Sequence, residues 1–220
     1  MALILCIETA APQTSLVLGR GDAVMFSDQP SGRVESPVYL PKAVEASLEQ
    51  SGHGTADIDA VAVDVGPGGL MATRSGVTYA NVLAYALGKP LIALNSFDLV
   101  GREAWQAHGL PVFCVRHTTE GDALAAVFDQ DGLGPVTFGA LERQVDDIAG
   151  RFEKLTVAGP ATEQVVAMIG TRCAAIAGPV SATPEMILTR ASALLEAGAV
   201  AAEPLDPLTT QSPSVTVLPT

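Results

Sequence analysis

Residues 64–76 read D-V-G-P-G-G-L-M-A-T-R-S-G. The run before them, I-D-A-V-A-V-D-V (58–65), has too few polar gaps for a half-exposed strand, so it predicts a central, parallel one. The run after them, from about 70 to 87, is an Ala-rich helical pattern stopped by G-K-P. Strand, glycine turn and helix together make a βα corner. Such a corner can offer backbone N–H groups and a helix dipole to an anion. No G-K-[ST] follows, and the last position of a G-x-G-x-x-G match is Met71. On the turn alone, the favoured reading is a tight corner in which glycine supplies positive φ and close approach.

Working outward, A-L-I-L-C-I-E (2–8), T-S-L-V-L-G (14–19) and A-V-M-F-S (23–27) read as hairpin strands. A helix over 36–50 follows. Ser36 is its candidate cap, Pro37 lies in its first turn, and Leu40, Val44 and Leu48 form its stripe. L-I-A-L-N (91–95) is a strand, and Ser96 caps a helix to His108. The second half reads the same way: strands at 111–117, 122–129 and 135–138, then helices at 141–152 and 162–170 alternating with strands at 155–159 and 173–177. A final helix begins after Thr183 and ends near Gly198. Even the first strands rhyme, L-C-I-E-T against F-C-V-R-H. Two copies of one β-β-β-α-β-α-β-α plan predict an α/β protein of two ribonuclease-H/actin-like (ASKHA) subdomains with mixed sheets. The expected boundaries are 1–109 and 110–220, with the last helix and tail able to pack back on the first domain. Two unrelated α/β domains in tandem are the plainer alternative. The Pro-rich stretch from Pro204 reads as irregular or extended.

The chain has 220 residues and a formal net charge of −12. That charge repels phosphate backbones, so direct nucleic-acid binding by the chain alone is not expected. Cys6, Cys114 and Cys173 sit in apolar runs without a C-x-x-C, as buried thiols in a reducing compartment do. No apolar run approaches the roughly 18 residues of a membrane helix, and M-A-L-I-L-C-I-E lacks the basic region of a signal peptide. The expectation is a soluble cytoplasmic protein with no membrane role.

The chemical sets are incomplete. Glu8 and Thr9 end the first strand, where actin-like folds place a magnesium-holding acid and phosphate-holding hydroxyls. Here Ala10 and Ala11 follow, and the equivalent second-half turn carries Arg116 where a second carboxylate is needed. His53, His108 and His117 form no H-x-x-x-H. There is no G-x-S-x-G and no cysteine in an electropositive loop. No catalytic residue and no metal site is therefore assigned. Glu8, Thr9, Gly66 and Gly68 are read as remnants of a nucleotide loop.

Taken in order, I-L-C-I-E-T, S-P-V-Y-L-P-K-A-V-E-A-S-L-E-Q-S-G, the 58–77 run and A-L-G-K-P-L-I-A-L-N-S-F-D resemble the TsaB (YeaZ) family. The resemblance is close over about residues 2 to 100 and weak beyond. The family's G-P-G-S-F-T-G-L-R falls on Gly66–Arg74. Gly66, Pro67, Gly68 and Arg74 match, and Gly69 to Thr73 depart. The resemblance implies a non-catalytic subunit that pairs with TsaD in making tRNA threonylcarbamoyladenosine, with the ATPase TsaE joining them. It implies that ATP and magnesium enter only in that complex, none being bound by the isolated chain. It also implies an interface on the first two helices. Here we expect Tyr39, Leu40, Ala43, Arg74, Tyr79, Val82 and Ala86 to carry it, since a helix apolar on two faces must bury the second. The sequence leaves open whether the chain pairs with itself. A small ATP-dependent enzyme of the sugar-kinase type and a peptidase homologue remain as alternatives.

Overall fold

The computed structural model describes residues 1–12, 14–28, 39–118 and 121–218, with Tyr39 described by its backbone alone. The expected features at Ser36 and Pro37 lie outside the described residues. The chain divides into two compact units, Met1–Ser96 with Thr183–Pro207, and Phe97–Ala182 with Leu208–Thr220.

The first unit is built on one sheet. Strands β1 (Leu3–Glu8), β2 (Ser15–Arg20) and β3 (Ala23–Asp28) form an antiparallel meander. β4 (Ala60–Asp64) and β5 (Leu91–Leu94) add in parallel, giving the order β3-β2-β1-β4-β5. The two-residue turn before β3 needs a left-handed backbone, which Gly21 supplies at φ 61°. β1 is buried on both faces, which is why it reads as a continuous apolar run. One face (Leu3, Leu5, Ile7, Leu16, Leu18, Val61, Val63) packs on helices α1 (Tyr39–Ser51) and α2 (Leu70–Leu87). The other face is covered by a helix from far along the chain, α6 (Pro184–Glu196), which packs on β1, β2, β3 and β5. Thr183 caps it by accepting the Met186 N–H at 3.3 Å, and Pro184 opens its first turn.

The second unit repeats the plan. β6 (Val112–His117), β7 (Asp122–Asp129), β8 (Gly132–Leu133) and β9 (Val136–Ala140) are antiparallel neighbours. β10 (Lys154–Ala158) and β11 (Ala174–Ala177) join β6 in parallel. α4 (Leu141–Arg151) and α5 (Thr162–Ile169) cover one face through Leu141, Val145, Ile148, Val165 and Ile169. α3 (Ser96–His108) supplies Phe97, Val100 and Ala104 to the other.

Two expectations change. The boundary falls at Ser96/Phe97 rather than 109/110, because the apolar side of α3 packs with Cys114, Leu124, Ala126 and Phe128 of the second sheet. The tail is not wholly irregular: β12 (Val215–Val217) pairs in parallel with β9. The α/β plan of two mixed sheets stands as read. Among the described residues, no helix is long and apolar enough to cross a membrane.

Candidate functional site

β1 and β4 run parallel, with Ile7 opposite Val63. One step further, Glu8 and Asp64 stand side by side at the strand ends, where open α/β sheets place their ligands. Both are buried, Glu8 at 4% and Asp64 at 0% exposure. Each carboxylate closes the turn that follows it. Glu8 Oε1 accepts the Ala10 and Ala11 N–H groups at 2.6 and 2.9 Å. Asp64 Oδ1 accepts the Gly66 N–H at 2.7 Å, and its Oδ2 accepts the Ser96 hydroxyl at 2.6 Å. Ser96 also donates its N–H to the Gly66 carbonyl at 3.0 Å.

Two buried carboxyls this close cannot both ionise cheaply. Burial pushes the Asp64 carboxyl well above the usual range, and the Glu8 charge and its hydrogen bond push it further. The bonds from Ser96 and Gly66 oppose that without reversing it. Asp64 therefore holds its proton more tightly than a free carboxyl does.

The turns pack against each other through glycine. Gly66, at φ 107°, needs a backbone that other residues rarely adopt. A Cβ on Gly68 would lie 2.6 Å from Ala10 Cα and 2.2 Å from Thr73 Oγ1. A Cβ on Gly76 would lie 2.1 Å from Thr9 Oγ1. The strand-end turn and the first turns of α2 are thus in contact. Of the amides that could hold a phosphate, those of Ala10, Ala11 and Gly66 already meet carboxylates, and Gly69 N–H meets the Ala10 carbonyl at 3.3 Å. Thr9 Oγ1 and Ser15 Oγ are buried hydroxyls without a partner. They are two single donors, not a phosphate cradle. Among the described residues, these four amides are engaged within the two turns themselves.

The structure therefore brings Glu8, Thr9, Gly66 and Gly68 together. It adds Asp64 and Ser96, which the sequence reading took for a strand residue and a helix cap. The available signal was the register: two acids ending two apolar strands that flank the same turn.

The interface residues separate into two groups. Leu40 and Ala43, each 5% exposed, are part of the first unit's core. They are unavailable to a partner, which corrects their assignment. Tyr79 is half-buried against that core, and burial raises its phenol pKa. Arg74, Val82 and Ala86 are exposed on α2. With them lie Leu70, Met71 and Tyr85, at 50%, 71% and 90% exposure, which the sequence reading did not single out. Met71, Ser75, Thr78, Val82 and Tyr85 follow at steps of four, three, four and three, with Arg74 beside Ser75, and so share one helix face. The opposite face (Thr73, Gly76, Val77, Ala80, Ala84) is buried. Tyr39 has only its backbone described.

Elsewhere the reactive groups are muted. Burial pushes the Cys6 thiol up to about 12 and raises Cys114 further, with Asp98 adding to the latter. His117 Nε2 lies 2.7 Å from Gln164 Oε1. Among the described residues, no group of three His, Cys, Asp or Glu side chains is placed to hold a metal.

Comparison with known proteins adds three kinds of likeness. The family model described as TsaD, tRNA N6-adenosine threonylcarbamoyltransferase, matches residues 36–206. A tRNA N6-adenosine threonylcarbamoyltransferase from Anaeromyxobacter dehalogenans (strain 2CP-C) is 28% identical over 205 residues, covering 72% of this chain. The chain spans 61% of that relative's length. Among solved structures, an uncharacterized protein with similarity to peptidase YeaZ from Pseudomonas aeruginosa superposes with a TM-score of 0.80 at 20% identity, covering 95% of this chain and 99% of that one. YeaZ from Pseudomonas aeruginosa superposes at 0.76 and 18% identity, covering 91% and 95%. At these identities the structures establish the fold.

Proposed function

The chain belongs to the TsaD/TsaB family of tRNA threonylcarbamoyl proteins, and from that premise we propose that it is a non-catalytic subunit that pairs with TsaD through α2. The observation that carries this reading is the exposed apolar face of α2, with Met71, Val82 and Tyr85 open to solvent on a helix whose other side is already buried. Large apolar side chains grouped on one face mark an interaction surface more often than chance exposure does. The self-satisfied strand-end turns support a non-catalytic role, because their amides are taken by Glu8 and Asp64. On this reading the glycine corner holds α2 at a fixed angle for docking. TsaE joins the pair, and ATP and magnesium are handled by the complex rather than by this chain.

The test is co-purification with TsaD from the same organism. Val82→Arg and Tyr85→Glu place charges on exposed positions, so both variants are expected to melt like the native chain and to lose the partner. Retained pairing by the double variant would refute the docking assignment. Tight magnesium-ATP binding by the isolated chain, read by calorimetry, would instead favour a small kinase-like enzyme.

A further inference from the structure

In the second unit, a cavity of about 620 Å³ opens between α4 and the end of the β7–β8 hairpin. That lies within the roughly 300–1,000 Å³ in which proteins hold small ligands, and it exceeds what a single ion needs. Its floor is apolar, formed by Phe113, Val127, Leu133 and Ile148. Its two sides differ in charge: the hairpin side is acidic, and the α4 side carries two arginines against one aspartate. The hairpin presents Asp129 and Asp131. Helix α4 presents Arg143, Asp147 and Arg151 at four-residue steps, and Arg151 Nη1 meets Asp147 at 3.4 Å.

Both sides are held in place. Asp129 Oδ1 accepts the Asp131 N–H at 2.9 Å, and Gly134 N–H donates to the Val127 carbonyl at 2.8 Å, which fixes the hairpin. Gln144, 6% exposed, pins α4 to the sheet. It accepts the Thr137 hydroxyl at 2.9 Å and donates to the Ala123 and Gly139 carbonyls at 2.9 and 3.0 Å. The cavity is therefore pre-formed, which lowers the ordering cost of binding.

The charges select among ligands. Three aspartates in the lining repel a phosphate, and two arginines repel a bare cation. A dipolar molecule with an apolar middle satisfies both sides. We propose that this cavity binds a short apolar peptide with free termini, its ammonium on the Asp129–Asp131 side and its carboxylate on the Arg143–Arg151 side. An arginine already paired keeps further N–H donors for a second carboxylate. The cavity shares no residue with α2, so the proposal stands apart from the pairing reading.

Calorimetry with the tripeptide Ala-Leu-Ala tests it on the full chain. Saturable binding is expected, weakened about tenfold or more when the N-terminus is acetylated, and again when the C-terminus is amidated. Asp131→Asn should erase the penalty for acetylation, and Arg151→Gln should reduce the penalty for amidation. Both are surface positions, so melting curves should match the native chain. No saturable heat up to roughly 1 mM peptide, or equal binding of the doubly capped peptide, would overturn the assignment.

Discussion

Asp64 keeps a proton that its unfolded counterpart releases. The unfolded chain gives it up in the ordinary carboxylate range, while burial and the neighbouring Glu8 charge hold it in the fold. Above that range the native state binds more protons than the unfolded one, so this group's contribution to stability falls as pH rises. Asp64→Asn keeps an acceptor for Gly66 N–H and a polar partner for Glu8 without the proton. Chemical denaturation across pH should show the variant more stable than the native chain at neutral pH, with a flatter slope between acid and neutral. Gly76 gives a second test. Adding one methyl as Gly76→Ala drives it into Thr9 Oγ1, an overpacking that costs about 1–3 kcal/mol. Pairing it with Thr9→Ala removes the obstructing hydroxyl, itself unpartnered, and should recover most of that loss in a double-mutant cycle. Glu8, Thr9, Gly66 and Gly68 were legible because glycine and strand-end acids mark turns. Asp64 was not, because its role depends on a parallel neighbour distant in sequence.

Helix α2 shows how far periodicity reaches and where it stops. Its bounds and its glycine stop read directly from the sequence, and Gly88 closes it at φ 63°. Which of its two apolar faces is outward did not, because both carry apolar residues. For α1 the same ambiguity misled. Leu40, Val44 and Leu48 form an obvious stripe, yet Ala43 and Ser47 are buried beside them. A helix laid on a sheet buries a strip wider than one line of i+4 residues, so Ala43 faces its own core. This yields a contrast between neighbouring helices. Ala43→Arg forces a charge into the core and should cost several kcal/mol, lowering the melting temperature outright. Val82→Arg on α2 should change stability by less than about 0.5 kcal/mol while abolishing capture by TsaD. If both variants lost stability and pairing together, α2 would have no separable surface role.

At the scale of the whole molecule, the duplicated plan was legible element by element, because each βα step is written locally in turns and stripes. The ownership of the closing helices was not. α3 serves the second sheet and α6 the first, and a stripe of apolar residues does not say which sheet it meets. The consequence for α6 is physical. Gly19 is bare so that Leu188 can approach it, since a Cβ there would lie 2.3 Å from Leu188 Cδ2. Val17 shares that face of β2, and Ile4 and Cys6 are their register partners on β1. All are buried, as are Ile187, Leu188 and Ala191 on the helix. Without α6, that side of the first sheet faces water, though every strand of the sheet lies before residue 95. A chain ending at Ala182 should therefore lose the cooperative melt of the first unit, expose dye-binding apolar surface and fail to pair with TsaD. The milder Ile187→Ala should cost about 2–5 kcal/mol as a cavity mutation and lower the melting temperature of the first unit. A truncated chain with a native-like first transition would mean that α6 is ornamental, and the exchange of closing helices would then carry no energetic weight.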